Sequence, residues 1–190
     1  MAAIAIFSVG FLLDLDDVDA APEGSTYPDA EVLVVGQQWW WEYHYYLDGI
    51  EGADQPDLVT ANELVIPVNQ DIRIYTTSRD VIHSFWIPRL NGKKDAVPGR
   101  TTPWVIQSNE VGRFAGQCTE FCGLSHAYMR MYTIALPHEE FSTWVDNQVK
   151  FRTPLTEDDP NYEGEQLFIT NCARCHAING VTEREMNGET

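Results

Sequence analysis

The residues best equipped for chemistry lie between Gly116 and Met131, in the run GQCTEFCGLSHAYMRM. Cys118 and Cys122 stand four positions apart, His126 follows four later, and Met129 three after that. Two thiols, an imidazole and a thioether form a soft donor set. Such donors favour copper over magnesium or calcium, which take oxygen ligands. A blue-copper site needs one Cys, two His and a weak Met, and His83 in DVIHSFWIP supplies the upstream imidazole. The second Cys goes beyond that set. Two bridging thiolates can hold two coppers close together, each completed by one His and one weaker ligand. Within the loop the backbone carbonyl of Glu120 is a further donor. Two other uses of these residues stay open. One is a Cys118–Cys122 disulfide in an oxidising compartment. The other is a structural zinc on two Cys and two His, which would give Met129 no role. His44 and His138 lack such company and read as ordinary histidines.

A second motif, Cys172-Ala173-Arg174-Cys175-His176, is a CxxCH. Two thiols next to an imidazole suit covalent attachment of haem c, with His176 as an axial iron ligand. CxxC alone also suits zinc or thiol redox chemistry.

The copper-type loop needs strands to hold it, and the sequence supplies them. Val32–Trp41, rich in β-branched and aromatic residues, reads as one strand. Further strands are expected at Asn62–Pro67, Asp71–Thr77, Trp104–Gln107 and Met131–Leu136. In Asp71–Thr77 the alternation puts Ile72, Ile74 and Thr76 on one face. Asp48-Gly49, Asn91-Gly92 and Pro98-Gly99 punctuate the runs as turns. Short strands at this spacing predict an all-β sandwich or barrel. After Pro137, His138–Lys150 reads as a helix with Phe141, Trp144, Val145 and Gln148 along one side. Arg152–Pro160 reads as a linker, and Tyr162–Cys172 as a second helix carrying Leu167 and Phe168.

The chain has 190 residues and a formal charge of −17. That charge excludes nucleic acid as a partner, because binding phosphates requires a basic face. The acidity is uneven: residues 1–72 hold 14 Asp and Glu and no Lys or Arg. The apolar run Met1–Leu13 is shorter than the roughly 20 residues a spanning helix needs. It is expected to be the last part of a transmembrane helix, with a degenerate signal or anchor, or a run buried against the domain, as the alternatives. The acidic DLDDVD after it fits emergence on the non-cytoplasmic side, since cytoplasmic flanks are enriched in Lys and Arg.

From about Ala30 to Lys150 the chain resembles cytochrome c oxidase subunit 2. GQQWWWEYHY, DVIHSFWIP, KKDAVPGR and GQCTEFCGLSHAYM carry the likeness. The resemblance implies a cupredoxin-like Greek-key barrel or sandwich on the outer face of a bacterial or archaeal membrane, holding a binuclear CuA centre. Cys118 and Cys122 would bridge, His83 and His126 would be the imidazole ligands, and Met129 would be a weak ligand of one copper. Glu120 would give its carbonyl to the other copper and its carboxylate to a Mg site facing the catalytic subunit. Trp39 falls where electrons enter in this family. Asp95 and Arg100 match a loop facing the catalytic subunit. GEQLFITNCARCH resembles the opening of a cytochrome c domain, which some bacterial members carry as a C-terminal fusion. Its haem c would be held by Cys172, Cys175 and His176. Met186 stands only ten residues past His176, too close to be the second axial ligand.

The implied organisation is a membrane-helix remnant at 1–13, an acidic linker at 14–30 and a CuA domain at 31–150. A linker at 151–160 and the truncated start of an α-helical cytochrome c domain at 161–190 would follow. The implied function is electron transfer from cytochrome c, or from the fused haem, to haem in catalytic subunit 1 of a terminal oxidase. Two other functions compete. A nitrous oxide reductase would carry a similar loop, but Glu120, the DAVPGR loop and the WWWEY segment favour the oxidase. A copper carrier would bind a single copper reversibly.

Overall fold

The computed structural model describes residues 4, 6–9, 21–150, 152–173, 176–178 and 181. Ten strands form two five-stranded sheets. The expected strand Val32–Trp41 is in fact a hairpin of β1 (Glu31–Gln37) and β2 (Trp40–Tyr46), turning at Gln38 and Trp39. Side-chain parity explains the break. Alternation continued from Val32 and Val34 would have sent Trp40 inward and Trp41 outward. With the turn, Val32, Val34 and Gly36 face Tyr45, Tyr43 and Trp41 across the pair. All six are buried, so the hairpin puts Trp41, Tyr43 and Tyr45 on the core face.

The first sheet is completed by β3 (Leu58–Ala61), β5 (Ile72–Ser78) and β8 (Thr102–Ile106), in the order β3-β2-β1-β5-β8. Ile72, Ile74 and Thr76 do share the buried face of β5. The Thr76 hydroxyl is within hydrogen-bond reach of the Asp95 and Thr102 carbonyls, which lets a polar group sit in the core.

The second sheet runs β4 (Glu63–Pro67), β10 (Arg130–Leu136), β9 (Gly112–Cys118), β6 (His83–Trp86) and β7 (Lys93–Ala96). The pairs β1·β5 and β4·β10 are parallel, and the rest are antiparallel. Between the sheets Phe85 meets Trp41, Tyr43 and Trp104 edge-on, at centroid distances of 5.1, 6.2 and 6.1 Å. Such pairs are worth about 0.5–1.5 kcal/mol each beyond their buried area. Tyr45 ties the sheets at another point. Its hydroxyl accepts from Val65 N at 2.7 Å and donates to Val65 O at 3.2 Å.

Helix α1 spans His138–Gln148 and α2 spans Tyr162–Asn171. Phe141 and Val145 are buried as expected, whereas Gln148 is exposed, so the buried stripe of α1 is one turn shorter than its sequence suggests. Leu167 of α2 is also exposed. The described residues fall into two units divided between Thr143 and Trp144. No helix among them is long and apolar enough to cross a membrane. Ile4 and residues 6–9 are helical and exposed; the rest of the expected membrane remnant lies outside the described residues.

Candidate metal centre

Three adjacent strands of the second sheet bring their ends to one place. β6 begins at His83, β9 ends at Cys118, and β10 begins at Arg130, directly after Met129. Pairing fixes their relative heights. Phe85 lies opposite Cys118, and Arg130 opposite Gln117. Past the strand ends, Cys118 N donates to Met129 O at 3.0 Å and Thr119 N to Ser84 O at 3.0 Å. The loop between Cys118 and Met129 then folds back through Gly123, whose φ of +118 is a conformation L side chains rarely adopt. A short turn at His126–Tyr128 closes it, with His126 N donating to Gly123 O and Met129 N to His126 O.

The side chains named from the sequence converge here. Cys118 Sγ and Cys122 Sγ are 3.8 Å apart, too far for a disulfide. His83 Nδ1 lies 3.9 Å from Cys118 Sγ. On the other side His126 Nδ1 is 3.5 Å and Met129 Sδ 3.7 Å from Cys122 Sγ. The Glu120 carbonyl oxygen is 3.2 Å from Cys118 Sγ, while its residue is exposed. Donor atoms of His83, Cys118 and Cys122 lie within 4.8 Å of one another. His83 and Met129 are fully buried, and the two cysteines nearly so. His126 is half-buried, with the exposed Phe121 ring edge-on at 5.7 Å.

The two thiols differ in acidity. Burial raises both. At Cys118 the contact with His83 and the Ser84 and Glu120 backbone outweigh it, and hold the thiol down at about 7. At Cys122 burial is joined by repulsion from Cys118, and the thiol is pushed up to about 12. Burial alone would lower His83, but Cys118 and Asp80 together raise it.

Three contributors were not expected from the sequence. Asp80 Oδ1 lies 2.8 Å from His83 Nε2, which leaves Nδ1 facing the thiols. The only prior signal was its position three residues ahead of His83. Gly36 lets the imidazole fit: a Cβ there would lie 2.9 Å from His83 Cδ2. Gln38 reaches the loop, its Nε2 donating to Cys122 O at 2.7 Å. Trp39 is half-buried, and its Nε1 donates to the same carbonyl at 3.2 Å.

Asp95 lies in β7 opposite Ser84, and Arg100 is exposed at a turn closed from Arg100 N to Val97 O. Cys172 and His176 are both exposed, with His176 N donating to Cys172 O at 2.9 Å. Cys175 and Met186 lie outside the described residues. His44 and His138 do stay away from the thiols, contacting Glu42 and Ser25.

Comparison with known proteins defines the class. The fold is cupredoxin-like. It matches the crystal structure of the periplasmic domain of subunit II of cytochrome oxidase (CoxB) of Bradyrhizobium japonicum with a TM-score of 0.57 and 31% identity. The match covers 70% of this chain and 96% of that one. Residues 30–135 match the family described as cytochrome C oxidase subunit II, periplasmic domain, and the chain belongs to that family. Relatives named cytochrome c oxidase subunit 2 include that of Alkalihalophilus pseudofirmus, 37% identical over 81% of this chain, and that of Bacillus sp. strain PS3, 33% identical over 84%. The chain spans 45% and 44% of those relatives' own length.

Proposed function

We propose that this chain is the electron-transfer part of subunit II of a haem–copper terminal oxidase. It would take electrons from cytochrome c, or from a haem c segment of its own, and deliver them to haem in the catalytic subunit. There oxygen is reduced to water with coupled proton translocation. The observation that carries this reading is the cluster of donors in which two thiols 3.8 Å apart each have an imidazole beside them, His83 at Cys118 and His126 at Cys122. Two thiols side by side, each with its own imidazole, suit two ions sharing both thiolates. The buried thioether of Met129 fits copper and would be wasted on zinc.

Two copper ions held there supply a one-electron couple. The chain's task is to keep its donors still, so that little rearrangement accompanies each electron. The strand ends do this for His83, Cys118 and Met129, and the loop turn does it for His126. Trp39 receives electrons, its indole already bonded to the carbonyl of a thiolate ligand. The Glu120 carbonyl, 3.2 Å from Cys118 Sγ, would be a further ligand for copper, and its carboxylate would hold Mg at the boundary with the catalytic subunit. Cys172, Cys175 and His176 would be the residues that hold haem c.

The organisation that goes with this role is a membrane-helix end at 1–13, an acidic linker at 14–30, the copper domain at 31–150, a linker at 151–160 and a haem segment from 161. The copper domain lies on the outer face of a bacterial or archaeal membrane. The test is Cys118→Ser and Cys122→Ser in the copper-loaded protein. Either change abolishes the purple mixed-valence absorption; an unchanged spectrum contradicts the assignment.

A further inference from the structure

The turn between β1 and β2 belongs to the first sheet, yet it touches both segments that carry the donors. The backbone N–H of Gln38 donates to Asp80 Oδ2 at 2.6 Å, and Asp80 Oδ1 in turn holds His83 Nε2. The side-chain amide of the same residue donates to Cys122 O at 2.7 Å. One residue thus spans from the partner of the first imidazole to the backbone of the second thiol. The metal loop is shaped for this approach. A Cβ on Gly123 would lie 2.9 Å from Gln38 Nε2 and 3.2 Å from Trp39 Cζ2, so a side chain there would push the amide away from the loop. Gly123 also has the positive φ that presents the Cys122 carbonyl to the turn.

We propose that Gln38 is a positioning residue that locks the His83 segment and the Cys122 loop into one metal-holding unit. The proposal rests on the copper reading above. Groups behind a metal's direct ligands commonly change metal affinity by about 10–100-fold when lost. Gln38 has the same standing here, reaching one ligand through Asp80 and the other through a ligand's own carbonyl. Trp39 adds a second bond to that carbonyl, so losing Gln38 loosens the loop without releasing it.

The test uses the full chain loaded with copper, with the Gln38→Met, Gln38→Lys and Gln37→Met variants alongside. Met keeps the length of Gln38 and removes the donor; Lys keeps a donor of similar reach. Gln37 bonds to Glu42 and Arg79 and serves as the control. Gln38→Met should release copper to a chelator at least tenfold faster and alter the copper hyperfine pattern, at an unchanged melting temperature of the metal-free protein. Gln38→Lys should restore the wild-type rate, and Gln37→Met should leave it alone. In the metal-free protein, Gln38→Met should also speed hydrogen exchange across residues 119–125. Wild-type release from Gln38→Met, or equal acceleration by Gln37→Met, overturns the proposal. Wild-type protein that never forms a copper pair overturns the copper reading instead, and the role of Gln38 falls with it. Unchanged exchange in the metal-free loop counts against Gln38 independently of any metal.

Discussion

At the scale of single residues the centre is a pair of unequal thiols. Cys118 is held down at about 7 by His83 and the surrounding backbone against the opposing effect of burial. Cys122 is pushed up to about 12 by burial and by its neighbour. In metal-free protein carrying Cys172→Ser and Cys175→Ser, thiolate absorbance near 240 nm should therefore rise by one equivalent around pH 7. No second step should appear until strongly alkaline pH. Two equal steps near the ordinary thiol value would contradict the asymmetry. Gly36 sets a second residue-scale requirement. His83 is fully buried between Asp80 and Cys118, so its ring cannot yield to a Cβ at 2.9 Å. Gly36→Ala should cost about 1–3 kcal/mol, read as a lower urea midpoint of the metal-free protein, and should weaken copper uptake. An unchanged midpoint would show that the ring has room. The donors themselves were legible in the sequence because four of the five lie within twelve positions and their soft chemistry is unusual. Asp80, Gly36 and Gln38 were not, because each acts across a contact that exists only once the strands have met. Gln38 bonds to groups 42 and 84 residues away.

At the scale of elements, β6, β9 and β10 convert sequence spacing into a site. His83 sits at the first residue of one strand and Cys118 at the last residue of its neighbour. The sequence showed those strands unequally. β5 and β10 alternate cleanly between buried and less buried residues, and their spans were close to those expected. β9 buries Phe114, Gly116 and Cys118, and two of these are too small to mark a core face. β7 is an edge strand of mostly polar residues, KKDA, with Ala96 alone buried. The break between β1 and β2 falls in QQWWW, which contains none of the usual turn residues, so it could not be read from composition. What holds β2 to β4 can be tested directly. Tyr45→Phe removes the hydroxyl that serves both backbone groups of Val65 in a buried setting. The loss should destabilise the protein by about 1–3 kcal/mol, measured as a fall in urea midpoint. A midpoint unchanged from wild type would show that Val65 finds other partners.

At the scale of the whole molecule, the two sheets form a frame around an aromatic interior, and the donors sit where three strands of one sheet end. Trp41 links the two regions. It meets His83 edge-on at 5.9 Å and Phe85 at 5.1 Å, so the imidazole rests against the core itself. That placement suits the proposed electron-transfer role, in which the centre would change its charge without changing its shape. The central claim is that this frame holds two coppers sharing Cys118 and Cys122. Electron paramagnetic resonance of the copper-loaded protein, with copper counted on the same sample, tests it most directly. The claim predicts two coppers per chain and one unpaired electron shared between them, giving more hyperfine lines than a single copper nucleus can. One copper per chain with the hyperfine pattern of a single nucleus would contradict it.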